Sequence, residues 1–257
     1  MSTPLVTAEG LVLEYDGHRA VDESDFCLPS GGITAVIGPN GSGKSTLLNA
    51  IAGLIEPTAG TLEVQGMQPG QAGSRISYVM QAVTVPVGIP LTVTEVVGMG
   101  RYPNLGLFRR HSAQDRRAVS AAMERLNITG LAKRHLTELS GGQRQRAYVA
   151  QGLAQQHQAL LLDEPLTGLD LVSARTIDAI IHDEADSGGS VVLTTHDLDE
   201  ARAADYVLLM SGRVVAAGPP RRVLTRHNLE IAYGLGALHE SEGFLDDPGD
   251  PHTHPSR

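Results

Sequence analysis

The chain has 257 residues, enough for one large domain or two small ones with a substantial core. Hydrophobic residues make up 41% of it and charged residues 19%, which is usual for a soluble globular protein. The single cysteine, Cys27, excludes an internal disulfide framework and suits a reducing compartment. The opening residues lack the pattern of a signal peptide, and no apolar run approaches the roughly 20 residues that cross a bilayer. We therefore expect any membrane role to depend on a partner.

The formal net charge of −9 argues against nucleic acid as a partner, because an acidic chain without basic blocks repels a phosphate backbone. Six Tyr, three Phe and no Trp are also too few for platforms on which bases stack. Pro, Gly, Asp and His predominate near the C-terminus, so we expect residues 236–257 to form a disordered acidic tail. The histidines of its HTH sequence (252–254) lack the fixed further ligands of a metal site.

Strand patterns recur through the first eighty residues. LVLEY (11–15), followed by DGH, predicts an edge strand and a turn, and GTLEVQG predicts a short hairpin at 60–66. The β-branched run GGITAVIG predicts a buried strand at 31–38, and apolar residues at helical spacing predict a helix over 42–54. SRISYVMQ predicts a further strand at 74–81.

Residues 82–156 differ from the rest of the chain. Three prolines interrupt the start of this segment, Ser112 then caps a predicted helix through roughly Leu126, and a second helix is predicted from about 143 to 156. The later elements are predicted strands at 159–165 and 190–197 with a helix at about 172–185 between them, and a hairpin at 206–218 with Ser211-Gly212 at its turn. Alternating strands and helices predict an α/β core with an inserted helical subdomain near 82–156.

A phosphate-binding loop is predicted between the strand at 31–38 and the helix after it. Gly38, Gly43, Lys44 and Ser45 have the required spacing. Glycines let backbone N–H groups wrap around phosphates, and the helix N-terminus adds a favourable dipole. Lys44 would neutralise the β- and γ-phosphate oxygens, and the Ser45 hydroxyl would bind Mg²⁺. The alternative, a glycine-rich turn with an incidental lysine, is disfavoured by the full nine-residue pattern.

The segment LLLDEP (160–165) ends a buried strand in two adjacent carboxylates. Burying both without a cation is expensive. Asp163 is therefore suited to hold Mg²⁺ through its water shell, and Glu164 to act as the general base on an attacking water. Alternatively, the two acids merely begin a loop, but the phosphate loop in the same chain weighs against that.

Two polar residues, Gln81 and His196, each end a strand pattern. Glutamine is common on surfaces, and a lone histidine after a strand is usually structural. In a parallel sheet, however, both strand ends open on the same edge as the phosphate loop and Glu164. A neutral imidazole there could reach a γ-phosphate and the attacking water.

Taken in order, these motifs make residues 5–235 resemble the ATP-binding subunit of an ABC transporter. The matching segments are Tyr15 (adenine-stacking aromatic), GPNGSGKST at 38–46 (Walker A), Gln81 (Q-loop), LSGGQ at 139–143 (signature), LLLDEP (Walker B), Asp170 in LTGLD (D-loop) and His196 (switch histidine). The resemblance implies an α/β fold with a P-loop NTPase core, made of a RecA-like parallel sheet and an antiparallel β subdomain, and with a helical ABC-specific subdomain.

The resemblance also implies ATP and Mg²⁺ as cofactors. Catalysis would fall to Lys44, Gln81, Glu164 and His196, and Mg²⁺ to Ser45, Gln81 and Asp163. The residues that would contact ATP are Tyr15, Gly38, Pro39, Asn40, Gly41, Ser42, Gly43, Lys44, Ser45 and Thr46, together with Ser140, Gly141, Gly142, Gln143 and Asp170 of a second copy. Two subunits would thus pack head to tail, with the signature of one closing on the γ-phosphate held at the other's Lys44.

The family further implies a membrane permease as partner, an extracytoplasmic solute-binding protein, and a location at the cytoplasmic face of the membrane. Residues 82–110 would receive a coupling helix of the permease, although its apolar residues could equally be subdomain core. LTVTEVVGMGRYPNLG (91–106) and RRVLTRHNLEIAYG (221–234) resemble importer ATPases for manganese, zinc or iron, and next to them those for iron chelates and cobalamin.

Two other classes of protein share parts of this pattern. Soluble ABC ATPases of DNA repair or of ribosomes usually carry a long coiled coil or two cassettes, and neither is present here. A P-loop kinase or GTPase would not need LSGGQ.

Overall fold

The computed structural model describes residues 3–15, 17–81, 90–104 and 111–234. The predicted tail and parts of the segment 82–110 lie outside the described residues. The strands are β1 (Val6–Tyr15), β2 (His18–Leu28), β3 (Gly32–Ile37), β4 (Ala59–Val64), β5 (Ile76–Val79), β6 (Ala159–Leu162), β7 (Ser190–Thr195), β8 (Tyr206–Met210) and β9 (Val214–Gly218). The α-helices are α1 (Lys44–Ile51), α2 (Pro69–Ala72), α3 (Val93–Met99), α4 (Ala113–Arg125), α5 (Gly141–Ala154), α6 (Leu171–Asp186), α7 (Leu198–Ala203), α8 (Pro220–Val223) and α9 (Arg226–Tyr233).

Among the described residues, a six-stranded sheet runs in the order β5-β6-β7-β3-β8-β9. Every neighbouring pair is parallel except β8 and β9, which form the predicted hairpin. Ile37 lies beside Thr195, and Val79 beside Leu162. The carboxyl ends of β3, β5, β6 and β7 therefore meet at one edge. The α/β fold class and this shared edge are confirmed.

A smaller antiparallel sheet has the order β2-β1-β4. The prediction of an edge strand at 11–15 is wrong, because β1 is longer than that pattern and is paired on both sides. Alternating burial reports on the faces of a strand and not on its hydrogen-bonding edges. The hairpin predicted at 60–66 is also wrong. Residues 59–64 form one strand against β1, and a tight turn closed by the Val64–Met67 bridge follows.

Apolar cores cover both faces of the large sheet. One lies between the sheet and helices that include α5 and α6, and the other between the sheet, α1 and the antiparallel sheet. Strand β6 contributes to both, since Leu160 and Leu162 face the first core and Leu161 the second. All three are fully buried, and burying each contributes about 1.5–3 kcal/mol. The end of β6 is therefore held firmly in place.

The chain between β5 and β6 is helical where it is described. Helix α4 begins as predicted, with the Ser112 hydroxyl accepting the N–H of Asp115 in a capping box. Helix α5 begins at Gly141, two residues before the predicted start, because Ser140 caps it in the same way. Helix α3 was not predicted.

A buried ion pair ties these helices together. Arg101 Nε lies 2.8 Å from Asp115 Oδ1, and Arg101 Nη1 donates to the carbonyl oxygen of Ala154 at 2.7 Å. Hydrogen bonds from Ser112, followed by that from Arg101, hold the pKa of Asp115 well below its usual range. Within the described ranges, no helix is both long enough and apolar enough to cross a bilayer.

Candidate nucleotide site at the edge of the sheet

The loop between β3 and α1 requires its glycines. A Cβ on Gly38 would lie 2.1 Å from the carbonyl oxygen of Met210, and one on Gly43 would lie 2.5 Å from that of Ala20. Gly43 also has a φ of 93°, which side chains other than glycine rarely adopt. The outer side of the loop therefore packs against β2 and β8. The curved backbone can present successive N–H groups to an anion on its inner side.

Lys44 is a buried lysine inside this loop, only 6% exposed. Its Nζ donates to the carbonyl oxygens of Gly38 at 2.9 Å and Pro39 at 3.0 Å. Burial lowers the pKa of Lys44, while the negative charges of Glu164 and Asp163 oppose that shift. The nearby Ser42 Oγ is buried and, within the described part of the chain, has no hydrogen-bond partner. A cation and an unpaired hydroxyl in a curved loop fit phosphate oxygens.

The acid pair lies beside this loop, directly after β6. Asp163 is 5% exposed, and its Oδ1 accepts a 2.5 Å hydrogen bond from the Thr194 hydroxyl. Its Oδ2 lies 3.5 Å from the hydroxyl of Tyr78, whose pKa is raised by burial and by the charge of Asp163. Glu164 is half-buried and accepts a 2.9 Å hydrogen bond from Gln81 Nε2. The end of β5 is thus joined directly to the end of β6.

The remaining predicted residues lie around this centre or at strand ends. His196 directly follows β7 and is exposed. Ser45 is exposed in the first turn of α1, and Thr46 next to it is half-buried. Tyr15 ends β1 with its side chain exposed, in keeping with either a ligand contact or a surface tyrosine.

The signature residues form a second, separate group at the start of α5. The Ser140 hydroxyl accepts the N–H of Gln143 at 3.3 Å, and Gln143 Oε1 accepts the N–H of Ser140 at 3.1 Å. A Cβ on Gly142 would lie 2.3 Å from Asp170 Oδ2, so the signature packs against the residue that caps α6. Ser173 donates twice to Asp170 and lowers its pKa. A Cβ on Gly141 would meet open space.

Sequence reasoning missed two residues at the edge, Thr194 and Tyr78. Both contact Asp163 from the two strands that flank β6, Thr194 from β7 and Tyr78 from β5. Neither residue belongs to a motif, and only the sheet order brings their hydroxyls to the carboxylate. A polar residue within the apolar run SVVLTT was the one available signal for Thr194.

Comparison with known proteins identifies the family of this chain. The family model described as ABC transporter matches residues 21–167. The chelated iron transport system membrane protein YfeB of Yersinia pestis is 37% identical over 97% of this chain and 86% of its own length. The manganese transport system ATP-binding protein MntA of Synechocystis is 36% identical over 89% of this chain and 90% of its own. Among solved structures, an inward-facing transporter described as metal-chelate type has a TM-score of 0.78 at 33% identity, covering 90% of this chain and 89% of that one.

A parallel sheet whose strand ends bring an acid pair close to a phosphate loop is typical of P-loop NTPases. The range matched by the family model includes the signature sequence LSGGQ at 139–143, which a kinase or GTPase would not need. The chain belongs to the ABC transporter family, and it is an ATP-binding subunit with ATPase activity.

Proposed function

We propose that this chain powers the import of a transition-metal ion through a partner permease at the cytoplasmic face of the cell membrane. The observation that carries the proposal is the similarity to MntA, whose name refers to manganese transport, at 36% identity over 89% of this chain. The name of YfeB refers to chelated iron and supports the alternative that follows. A second candidate is import of a ferric chelate. It is favoured by the ferric enterobactin transport ATP-binding protein FepC of Escherichia coli, which is 36% identical over 96% of this chain and 92% of its own length.

The residues at the sheet edge fit ATP bound with Mg²⁺. The tight glycine loop, the buried Lys44 and the unpaired Ser42 hydroxyl suit the phosphates. Ser45 and Asp163 offer oxygen donors, and Gln81 adds an amide. This set suits Mg²⁺, which keeps several waters and shares the phosphates rather than needing a full protein cage. Once bound, the ion would neutralise charge that develops on the phosphates.

In the proposed reaction, Glu164 accepts a proton from the water that attacks the γ-phosphorus, and ADP leaves as the bond to its β-phosphate oxygen breaks. Gln81 holds the Glu164 carboxylate through its 2.9 Å hydrogen bond. His196 reaches the γ-phosphate from the end of β7, and Lys44 balances negative charge throughout. Tyr15 stacks on the adenine.

The signature group completes the site of a second copy of the chain. Ser140, Gly141, Gly142, Gln143 and Asp170 are proposed to reach that copy's nucleotide. Two observations support this. Ser140 is exposed at the N-terminus of a long helix, where its hydroxyl and the following N–H groups can face an arriving anion. Leu171 and Val172, next to Asp170, are 64% and 67% exposed, an apolar surface that a second copy would cover.

A cleft between β5 and the helices α3 and α5 is proposed to receive the permease. This cavity of about 450 Å³ is lined by side chains that include Met99 and Tyr148, and it opens beside Gln81. Met80 and Tyr102 are exposed near it. A permease segment docked there would contact Gln81. Because Gln81 is hydrogen-bonded to Glu164, movement of that segment would displace the Glu164 carboxylate. A solute-binding protein outside the membrane would deliver the cargo.

Uptake after deletion of the gene tests the choice of cargo. Cells lacking this subunit should lose uptake of radiolabelled manganese, zinc or iron(II) and keep uptake of ferric chelates. The wild-type gene should restore uptake, and the matched Glu164→Gln gene should not. Loss of chelate uptake alone would favour the second candidate. Unchanged uptake of all these substrates would contradict the proposal.

A further inference from the structure

Thr194 is a buried polar residue near the carboxyl end of β7. It lies in β7, beside Val36 of β3, and is 0% exposed. Burying a hydroxyl without a hydrogen-bond partner costs folding free energy, so we expect this hydroxyl to be hydrogen-bonded. The two hydrogen bonds of its hydroxyl that the structure describes both go to the acid pair at the end of the adjacent strand β6.

The directions of these two bonds are fixed by chemistry. The backbone N–H of Glu164 can only donate, and it donates to Thr194 Oγ1 at 2.8 Å. The hydroxyl therefore uses its single proton for Asp163 Oδ1, at 2.5 Å. One side chain thus orients the carboxylate of Asp163 and fixes the backbone of Glu164 at the same time.

The backbone of Glu164 needs such a partner. Its φ is 46°, in the left-handed region that residues with a side chain rarely occupy. The chain bends at Glu164 and continues as a turn from Pro165, which is buried. The turn directs the Glu164 carboxylate to Gln81, with which it forms the 2.9 Å hydrogen bond. Without an acceptor for its N–H, this conformation loses the contact that compensates for its strain.

We propose that Thr194 is the positioning residue of the ATPase site, holding Asp163 ready for hydrated Mg²⁺ and Glu164 ready for the attacking water. The proposal rests on the roles proposed above for Asp163 and Glu164. A hydroxyl that orients a metal-binding carboxylate acts outside the coordination sphere, and loss of such a partner typically costs about 10–100-fold in metal affinity or activity.

The test compares Thr194→Val, which keeps the shape and removes the hydroxyl, with Thr194→Ser, which keeps the hydroxyl. Thr34→Val is the matched control, since Thr34 is 2% exposed on the neighbouring strand β3 and lies away from the sheet edge. Two assays are made on the full chain, one of binding and one of hydrolysis. The binding assay gives the affinity for a fluorescent ATP analogue without Mg²⁺. It also gives the Mg²⁺ concentration at which the metal-induced signal is half of its maximum. The hydrolysis assay gives kcat and KM for ATP.

Thr194→Val should need about 10-fold more Mg²⁺ and lose about 10–100-fold in kcat, while its metal-free affinity for nucleotide stays within about twofold of wild type. Thr194→Ser and Thr34→Val should behave as wild type. If Thr194→Val does not fold, Thr194→Ala replaces it in the same assays. An unchanged Mg²⁺ requirement, or an equal loss of metal-free affinity, would overturn the proposal. Wild-type hydrolysis in the same assay shows separately whether the proposed ATPase site itself stands.

Discussion

Lys44 combines a positive charge with a buried position, and this conflict suits it to bind an anion. Two loop carbonyl oxygens accept its hydrogen bonds, and the carboxylates of Asp163 and Glu164 offset part of the cost of burial. Its pKa nevertheless stays below the usual value, so the charge is not fully compensated without a ligand. Phosphate oxygens would supply what is missing.

A dependence on pH follows from this lowered pKa. Between the folded-state pKa of Lys44 and its unfolded value of 10.5, the unfolded chain binds more protons than the folded chain. Stability therefore rises with pH across that window and reaches its full value above it. The free energy of unfolding, measured with urea and without nucleotide, should increase for wild type relative to Lys44→Met as the pH is raised from neutral towards about 10. A difference that stays constant or shrinks would contradict this.

The capping residue of helix α5, Ser140, is proposed to have two functions. Ser140 caps the helix within the chain, and the same hydroxyl is proposed to meet the γ-phosphate of a second copy. Substituting Ser140 by arginine would remove both functions together. Aspartate separates them, because it caps helices as well as serine does but repels phosphate.

Ser140→Asp should keep the free energy of unfolding within about 0.5 kcal/mol of wild type and lose at least about 100-fold in ATP hydrolysis. The matched variant Ser112→Ala removes the equivalent cap from α4, away from the site. It should lose about 1 kcal/mol of stability and still hydrolyse ATP. Urea denaturation and a phosphate-release assay measure the two effects. Normal hydrolysis by Ser140→Asp would mean that the signature acts only as a cap.

The elements differ in how far sequence predicts them. Strands of the large sheet and the caps of α4 are encoded locally, by apolar runs and by Ser112, and their positions were predicted to within a few residues. Strand β2 was not predicted, since five of its eleven residues are exposed and polar and interrupt the apolar pattern. The pairing of β1 on both edges depends on partners far along the chain. The motif residues could be predicted from their spacing in the sequence. Thr194 belongs to no motif, and only the order of the strands brings it to the acid pair.

At the scale of the whole molecule, the two helix starts that are proposed to bind anions belong to different groups of residues. The phosphate loop lies near the acid pair, whose negative charges act on Lys44, and the signature packs against Asp170 at the start of α6. A single copy would therefore bind ATP with the first group and leave the second without a ligand. The proposed head-to-tail pairing would give each group its counterpart, and it would link ATP binding to assembly.

The mass of Glu164→Gln in solution tests this shared site most directly. The amide keeps the shape and the neighbourhood of Gln81 but cannot accept a proton, so turnover should fall at least about 100-fold while ATP still binds. Light scattering with MgATP should then give twice the 27.2 kDa of the chain, and the monomer mass when nucleotide is omitted. A protein that binds ATP and remains at 27.2 kDa would contradict the shared site.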